Sequence, residues 1–189
     1  MDELTLFIKI SLAVIFISSG LSKVRSIESH HFLVKSYEIV PKNLVSVSSY
    51  LNIFIELFTG TLLFFGIFHV LSSVLTLLLL AIYIFAISFN LLRGRKNISC
   101  GCGGVLGNHQ LSLNLVIRNI ILFLVTCILF FHKPVLGSIQ ALFHGYQLNK
   151  IYNFNYFVIF LFANAFLVTS LITSNLLNIK LRISSLFTN

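Results

Sequence analysis

Apolar residues in this chain gather into five long runs, at 4–21, 45–66, 68–92, 113–131 and 154–177. Each approaches the roughly 20 residues that a helix needs to cross a bilayer core of about 30 Å. The second and third runs meet at a very short turn, Gly66-Ile67-Phe68-His69, which predicts an antiparallel hairpin. The fourth stops just before Pro134. The first run opens on Asp2 and Glu3, and Ser19-Gly20-Leu21-Ser22-Lys23 matches a signal cleavage site only weakly, so this run is read as a mature helix. Polar stretches at 22–44, 93–112 and 132–153 separate the runs, and the last predicts a short interfacial helix near 135–144.

This pattern predicts an all-α, polytopic integral membrane protein. Residues 1–131 form an antiparallel four-helix transmembrane bundle, with a cysteine-bearing loop at 93–112. Residues 132–189 hold the interfacial segment and a fifth transmembrane helix packed outside the bundle. The sequence contains no internal repeat and no soluble domain.

Composition strengthens this reading. The 189 residues are 57% hydrophobic and 10% charged, whereas about a quarter of a soluble domain is charged. Twenty Phe and no Trp leave Tyr to form the interfacial aromatic belt. The formal charge of +8 comes from basic residues flanking the apolar runs. Headgroup anchoring explains it better than nucleic acid, which is not expected as a partner.

Five spans put the 22–44 stretch, the cysteine loop and the C-terminal end on one side. The N-terminus, the Gly66 turn and the 132–153 stretch fall on the other. The cysteine side carries Lys23, Arg25, Lys35, Lys42, Arg93, Arg95, Lys96, Lys180 and Arg182, against mainly Lys133 and Lys150 opposite. The positive-inside rule therefore places the cysteine loop in the cytoplasm. Disulfide chemistry places it outside, because cytosolic thiols are kept reduced. The expectation taken here is a multi-pass protein of the cell membrane with an extracytoplasmic cysteine loop.

That loop contains Asn97-Ile98-Ser99-Cys100-Gly101-Cys102-Gly103-Gly104. A Cys-X-Cys disulfide closes a small, strained ring, and strain eases reduction. The glycines predict exposure, and Arg93, Arg95 and Lys96 just upstream favour thiolate. Cys100 and Cys102 are the candidate catalytic pair, while Cys127, deep in the fourth run, reads as a small hydrophobe. His30, His31 and His109 share the cysteine side, but their spacing with the cysteines fits no known zinc pattern, so no metal is expected. His109 is assigned a supporting role as proton carrier or thiolate partner. Lys9 reads as a side chain that snorkels to the opposite surface.

Glu56 lies mid-run, where a charge is costly and normally faces the bundle interior. Arg118 lies ~9 Å and Glu56 ~16 Å below the cysteine-side surface at 1.5 Å rise per residue. A Glu56–Arg118 pair is expected, with Arg118 aimed at the cysteine loop and Glu56 holding it.

The elements Cys100-Gly101-Cys102-Gly103-Gly104, Asn108-His109-Gln110-Leu111-Ser112 and Arg118-Asn119 resemble the MauE family of methylamine-utilisation membrane proteins, within the DoxX-like group. So do Ser19-Gly20-Leu21-Ser22-Lys23 and the pair Glu56 and Gly60. The resemblance covers roughly residues 4–131. It implies a redox-associated membrane protein in which Cys100 and Cys102 exchange electrons. The family's namesake is implicated in maturing the disulfide-rich small subunit of methylamine dehydrogenase, alongside a thioredoxin-like partner. This chain departs from many relatives in having Gly103-Gly104 where they place Phe before Gly, and in its fifth run. It also carries no redox domain of its own within these 189 residues.

The expected function is thiol–disulfide exchange that helps a secreted or surface protein form its disulfides, making the chain a candidate thiol–disulfide oxidoreductase. Its expected partners are the lipid bilayer and a thioredoxin-like protein or disulfide-containing client. A quinone is the candidate electron acceptor, although no residue in the sequence defines a quinone site. Two rival readings stand beside this one. The first is a non-enzymatic assembly or immunity factor whose cysteines brace a loop. The second is a small transporter or metal handler using Glu56, Arg118 and the histidines.

Overall fold

The computed structural model describes residues 2–95, 98–101, 110–132, 136–143 and 145–187; side chains are described up to residue 173 and at 176. Five helices have the length and apolarity to cross a membrane. They are α1 (Asp2–Arg25), α3 (Val45–Phe65), α4 (His69–Leu92), α5 (Leu113–Phe131) and α8 (Phe154–Phe187). Among the described residues three short α-helices lie between them, α2 (Ile27–Ser36), α6 (Ile139–Phe143) and α7 (Leu148–Ile151), with a single 3-10 turn at Lys42–Leu44 leading into α3.

The five runs predict the five long helices because a backbone in lipid must satisfy its own hydrogen bonds along the whole crossing. Three boundaries differ, one of them in helix α8, which continues past residue 177 to Phe187. Helix α1 continues through Lys23 and Arg25, and a separate amphipathic helix, α2, occupies the polar 22–44 stretch. Within the predicted 135–144 region the helix is shorter, Ile139–Phe143, and is followed by α7.

Helices α1, α3, α4 and α5 contact one another in a ring: α1 on α3 and α5, and α4 on α3 and α5. Helix α8 lies against α1, where Leu6 and Ile10 pack on Ala163, and Phe7 meets Phe162 and Phe166. The inner faces carry many polar groups. Ser49, Glu56 and Thr59 on α3 and Ser72, Ser73, Thr76 and Asn90 on α4 are all buried. The outer faces display Phe54, Phe85, Leu124 and Leu161. Such an inverted surface is expected where lipid replaces water as solvent. Several buried hydroxyls bond the carbonyl one turn back, as Thr76 does to Ser72 at 2.7 Å and Ser49 to Val45 at 2.8 Å.

Contacts at the N-terminal end of α1 show which segments share an end of the molecule. Gly66 closes α3 in the left-handed conformation, φ +61°. Its carbonyl accepts a 2.8 Å bond from the Ser138 hydroxyl, and the His69 amide donates to Gln140 at 3.3 Å. Lys9 does not snorkel. It is buried, and its ammonium donates to the Gly137 carbonyl at 2.7 Å. The backbone carbonyls of a turn offer a closer partner than the headgroups.

A Cβ added at Gly66 would lie 2.7 Å from Ser138 Cα and 2.9 Å from the Gly137 oxygen, whereas Gly94, also left-handed, has open space around it. Gly94→Ala is expected to cost about 1–2 kcal/mol, the backbone penalty alone. Gly66→Ala should cost distinctly more and should loosen the 136–143 segment. Unfolding midpoints of the two variants in detergent check this ordering, and equal midpoints would show that the Gly66 contact carries no weight.

Candidate functional site

The site begins with a close helix crossing. Helices α1 and α3 are the most extensively packed pair. Gly20 and Gly60 are the reason, since a Cβ on Gly20 would stand 2.7 Å from Leu57, and one on Gly60 2.7 Å from the Ile17 side chain and 3.0 Å from its backbone nitrogen. Small residues let backbones approach in this way within lipid.

The approach brings Ser19 and Lys23, one turn apart on α1, against Asn52 and Glu56, one turn apart on α3. Tyr83 of α4 closes the group. The Lys23 ammonium donates to Glu56 Oε2 at 2.7 Å, Asn52 Oδ1 at 3.1 Å and the Tyr83 hydroxyl at 3.3 Å. Glu56 Oε1 accepts from Tyr83 at 2.6 Å and from Ser19 at 3.2 Å. Asn52 Nδ2 also donates to the Tyr83 oxygen at 3.1 Å. An ammonium has three protons, and here each finds an acceptor. The carboxylate, 1% exposed, thus has a counter-ion and two hydroxyl donors, as a buried charge requires.

This arrangement corrects the expected Glu56–Arg118 pair. The carboxylate's partners are Lys23, Tyr83 and Ser19, and Arg118 is not among them. Rise per residue gives the depth of a side chain along its helix but not the direction it faces around that helix. Arg118 sits half-buried on α5, one turn beyond Leu115, which packs in the apolar cluster that holds Cys100. Asn119 is buried in the wall of a small cavity shared with Glu56, Ser19 and Tyr83.

The described part of the cysteine loop docks on α2. Ser99 and Gln110 form an antiparallel bridge, and Leu111 N–H donates to the Ile98 carbonyl at 3.0 Å. The Tyr37 hydroxyl reaches the carbonyls of Cys100 at 3.0 Å and Ser99 at 3.3 Å. Burial pushes the Tyr37 phenol above its ordinary pKa, so it stays a donor. Gly101, φ +69°, leaves no room for a Cβ beside Leu33 of α2.

Cys100 is disulfide-bonded and only 7% exposed, packed with Ile87, Leu111 and Leu115. The expected exposure therefore fails for this residue: the bridge, the Tyr37 bonds and the apolar cluster draw it inward despite the flanking glycines. Two of the basic residues upstream, Arg93 and Arg95, turn elsewhere, and Lys96 lies outside the described residues. Arg95 pairs with Glu38 and the Ser36 carbonyl, holding the Glu38 carboxyl below its usual range, and Arg93 stacks on Phe89. Cys127 is free and partly buried. Cys102 and His109 lie outside the described residues.

Between the Lys23 cluster and Cys100 is a cavity of about 290 Å³, also lined by His30, Tyr37, Asn52 and Tyr83. His30 is buried, with no hydrogen-bond partner for either ring nitrogen. Burial, with Lys23 and His31 nearby, lowers its pKa to about 4, so the ring is neutral at pH 7. No cluster of three or more metal-ligating side chains occurs among the described residues. Run lengths and charge counts do not single out Lys23, Asn52 and Tyr83 as site residues. The signal for the first two lies in the i, i+4 pairs Ser19/Lys23 and Asn52/Glu56, set beside Gly20 and Gly60.

Fold and site together define a multi-pass helical membrane protein with a buried ion-pair cluster next to a disulfide-bonded loop. The family described as methylamine utilisation protein MauE matches residues 1–132, and the chain belongs to this family. It is similar to the methylamine utilization protein MauE of Paracoccus denitrificans, 30% identical over 115 residues, covering 61% of this chain and 62% of the relative. It is also similar to the protein of that name from Methylophilus methylotrophus, 29% identical over 97 residues and covering 51% of each chain. The chain thus spans between half and two thirds of the length of these curated relatives. No solved structure matches it.

Proposed function

We propose that this protein exchanges a disulfide between Cys100/Cys102 and a separate thiol partner, a thioredoxin-like protein or a disulfide-containing client, in the cell membrane. The relatives are named for methylamine utilisation, and the reading extends that setting to this chain as the place where the client is matured. In the forward direction two client S–H bonds are lost and a client S–S bond forms. The Cys100–Cys102 S–S bond opens, and it takes up the two electrons and two protons. The observation that carries the reading is the oxidised state of Cys100 within a loop anchored by Tyr37 and α2. The loop is read as extracytoplasmic, where a net oxidant has work to do.

One observation favours a second reading. Cys100 is buried, which suits a disulfide that merely braces the loop of a non-enzymatic assembly factor. A single-turnover experiment separates the two. Oxidised protein in nanodiscs is mixed with a reduced dithiol peptide and both are followed by mass spectrometry. One equivalent of peptide disulfide per protein is expected, and none from Cys100→Ser or Cys102→Ser. A disulfide that survives excess dithiol would establish the bracing role instead. Labelling of the reduced pair with an impermeant thiol reagent on intact cells reads its side of the membrane.

A further inference from the structure

We propose that the cavity between the Lys23–Glu56 cluster and Cys100 is a binding site for the head of a lipid-borne quinone. The redox part rests on the exchange reading above, but the binding part does not. The first argument is access. The cavity rim includes Leu51 of α3 and Leu78 and Ile82 of α4, each about half exposed on the outer surface of helices long enough to span a membrane. An opening between two spanning helices admits a ligand from lipid, and its anchor is an apolar tail.

The second argument is the chemistry of the walls. Most lining side chains are aliphatic, and His30, Tyr37, Lys23, Asn52 and Tyr83 supply polar groups among them. Of these, Lys23, Asn52 and Tyr83 bond one another and, through Lys23 and Tyr83, Glu56 behind the wall. His30 does not take part, although it is buried and lines the same space. A neutral imidazole offers one N–H donor and one acceptor. A quinone carbonyl accepts from the first, and a quinol hydroxyl donates to the second. An anionic headgroup fits poorly, because Lys23 is already neutralised by Glu56. The volume, near the ~300 Å³ lower bound of small-ligand sites, suits a substituted ring rather than a whole lipid.

The third argument is Cys100, which stands in the same wall. After each exchange the cysteine pair is a dithiol and needs a two-electron, two-proton acceptor. Both S–H bonds break and the Cys100–Cys102 S–S bond forms. The two electrons and two protons convert both quinone carbonyls to the hydroxyls of the quinol. The ring and its tail then leave by the lipid-facing opening.

The test uses the full chain in nanodiscs. A short-tailed benzoquinone carrying an azide is photolysed in place, and the adduct is mapped by peptide mass spectrometry. Labelling is expected near Leu51, Leu78 or Ile82, and excess unlabelled quinone should compete it away. His30→Leu should weaken binding about three- to tenfold, the value of one lost hydrogen bond. Ile82→Trp, at a lipid-exposed position that folding does not depend on, should close the opening and abolish labelling; Leu124→Trp on the outer face of α5 should not. With the dithiol peptide present, one quinol should form per peptide disulfide. Specific labelling without quinol formation supports the site and counts against the exchange reading. Peptide oxidation with no competed label in this cavity overturns the quinone site and leaves the exchange reading standing.

Discussion

Lys23→Met is expected to cost about 3–5 kcal/mol, the usual consequence of leaving one partner of a buried ion pair uncompensated. Most of the folded, monodisperse protein should be lost on extraction. The reason is the number of groups that Lys23 serves at once. Its ammonium bonds Glu56, Asn52 and Tyr83, so removing it strands a carboxylate that is 1% exposed and leaves two further oxygens short of a donor. Glu56→Gln should be milder, because an amide oxygen still accepts from Lys23 and the Ser19 and Tyr83 hydroxyls remain nearby. The double variant, Lys23→Met with Glu56→Gln, should lose less than the sum of the two. A double-mutant cycle of denaturation midpoints in detergent measures the difference. Additive losses would mean that the pair is not coupled and that the helices are held by their apolar faces alone.

The second large effect is expected at Gly60. Gly60→Ala places a methyl group 3.0 Å from the Ile17 backbone nitrogen, and backbone cannot rotate away. Helices α1 and α3 must separate, at about 1–3 kcal/mol by the usual cost of overpacking. Gly20→Ala meets Cγ and Cδ2 of the Leu57 side chain at 2.7 Å, with the Leu57 backbone nitrogen no closer than 3.6 Å, so a side-chain shift can relieve it and it should cost less. Glu56 and Gly60 are one turn apart, so separation at Gly60 also stretches the Lys23–Glu56 contact. Gly60→Ala combined with Lys23→Met should therefore be less harmful than additivity predicts. Equal losses for the two glycine variants would show that side-chain volume, and not backbone approach, sets this crossing.

Part of the candidate site is legible in the amino-acid sequence. Glu56 stands out because a carboxylate in mid-run is costly unless something inside the protein receives it. Lys23 does not stand out, because a lysine near a helix end has the pattern of a headgroup anchor, and only the continuation of α1 past it turns it inward. Depth alone favours Arg118 as the partner of Glu56, and depth leaves rotation about the helix axis undetermined. The cysteine loop poses a similar problem. Glycines around Cys100 suggest exposure, yet Ser99 meets Gln110 and Gly101 fits under Leu33. Helix α2, which receives that loop, is hidden in a stretch whose polar composition marks the membrane surface and says little about its secondary structure.

The five long helices, the hairpin at Gly66 and the membrane as solvent are written in the order of residues alone. They follow from uninterrupted apolar length, and lipid leaves the backbone almost no alternative to helix. The MauE resemblance is legible in the same way, in a short motif around Cys100 and Arg118. Which charges meet, the burial of Cys100, and the cavity that His30, Tyr83 and Asn52 share with it emerge only when the helices pack. Those outcomes depend on how each helix is rotated against its neighbours, and that rotation is set by contacts between residues far apart in the chain. Gly20 with Leu57, Gly60 with Ile17 and Tyr37 with the Cys100 carbonyl are the contacts that set it here.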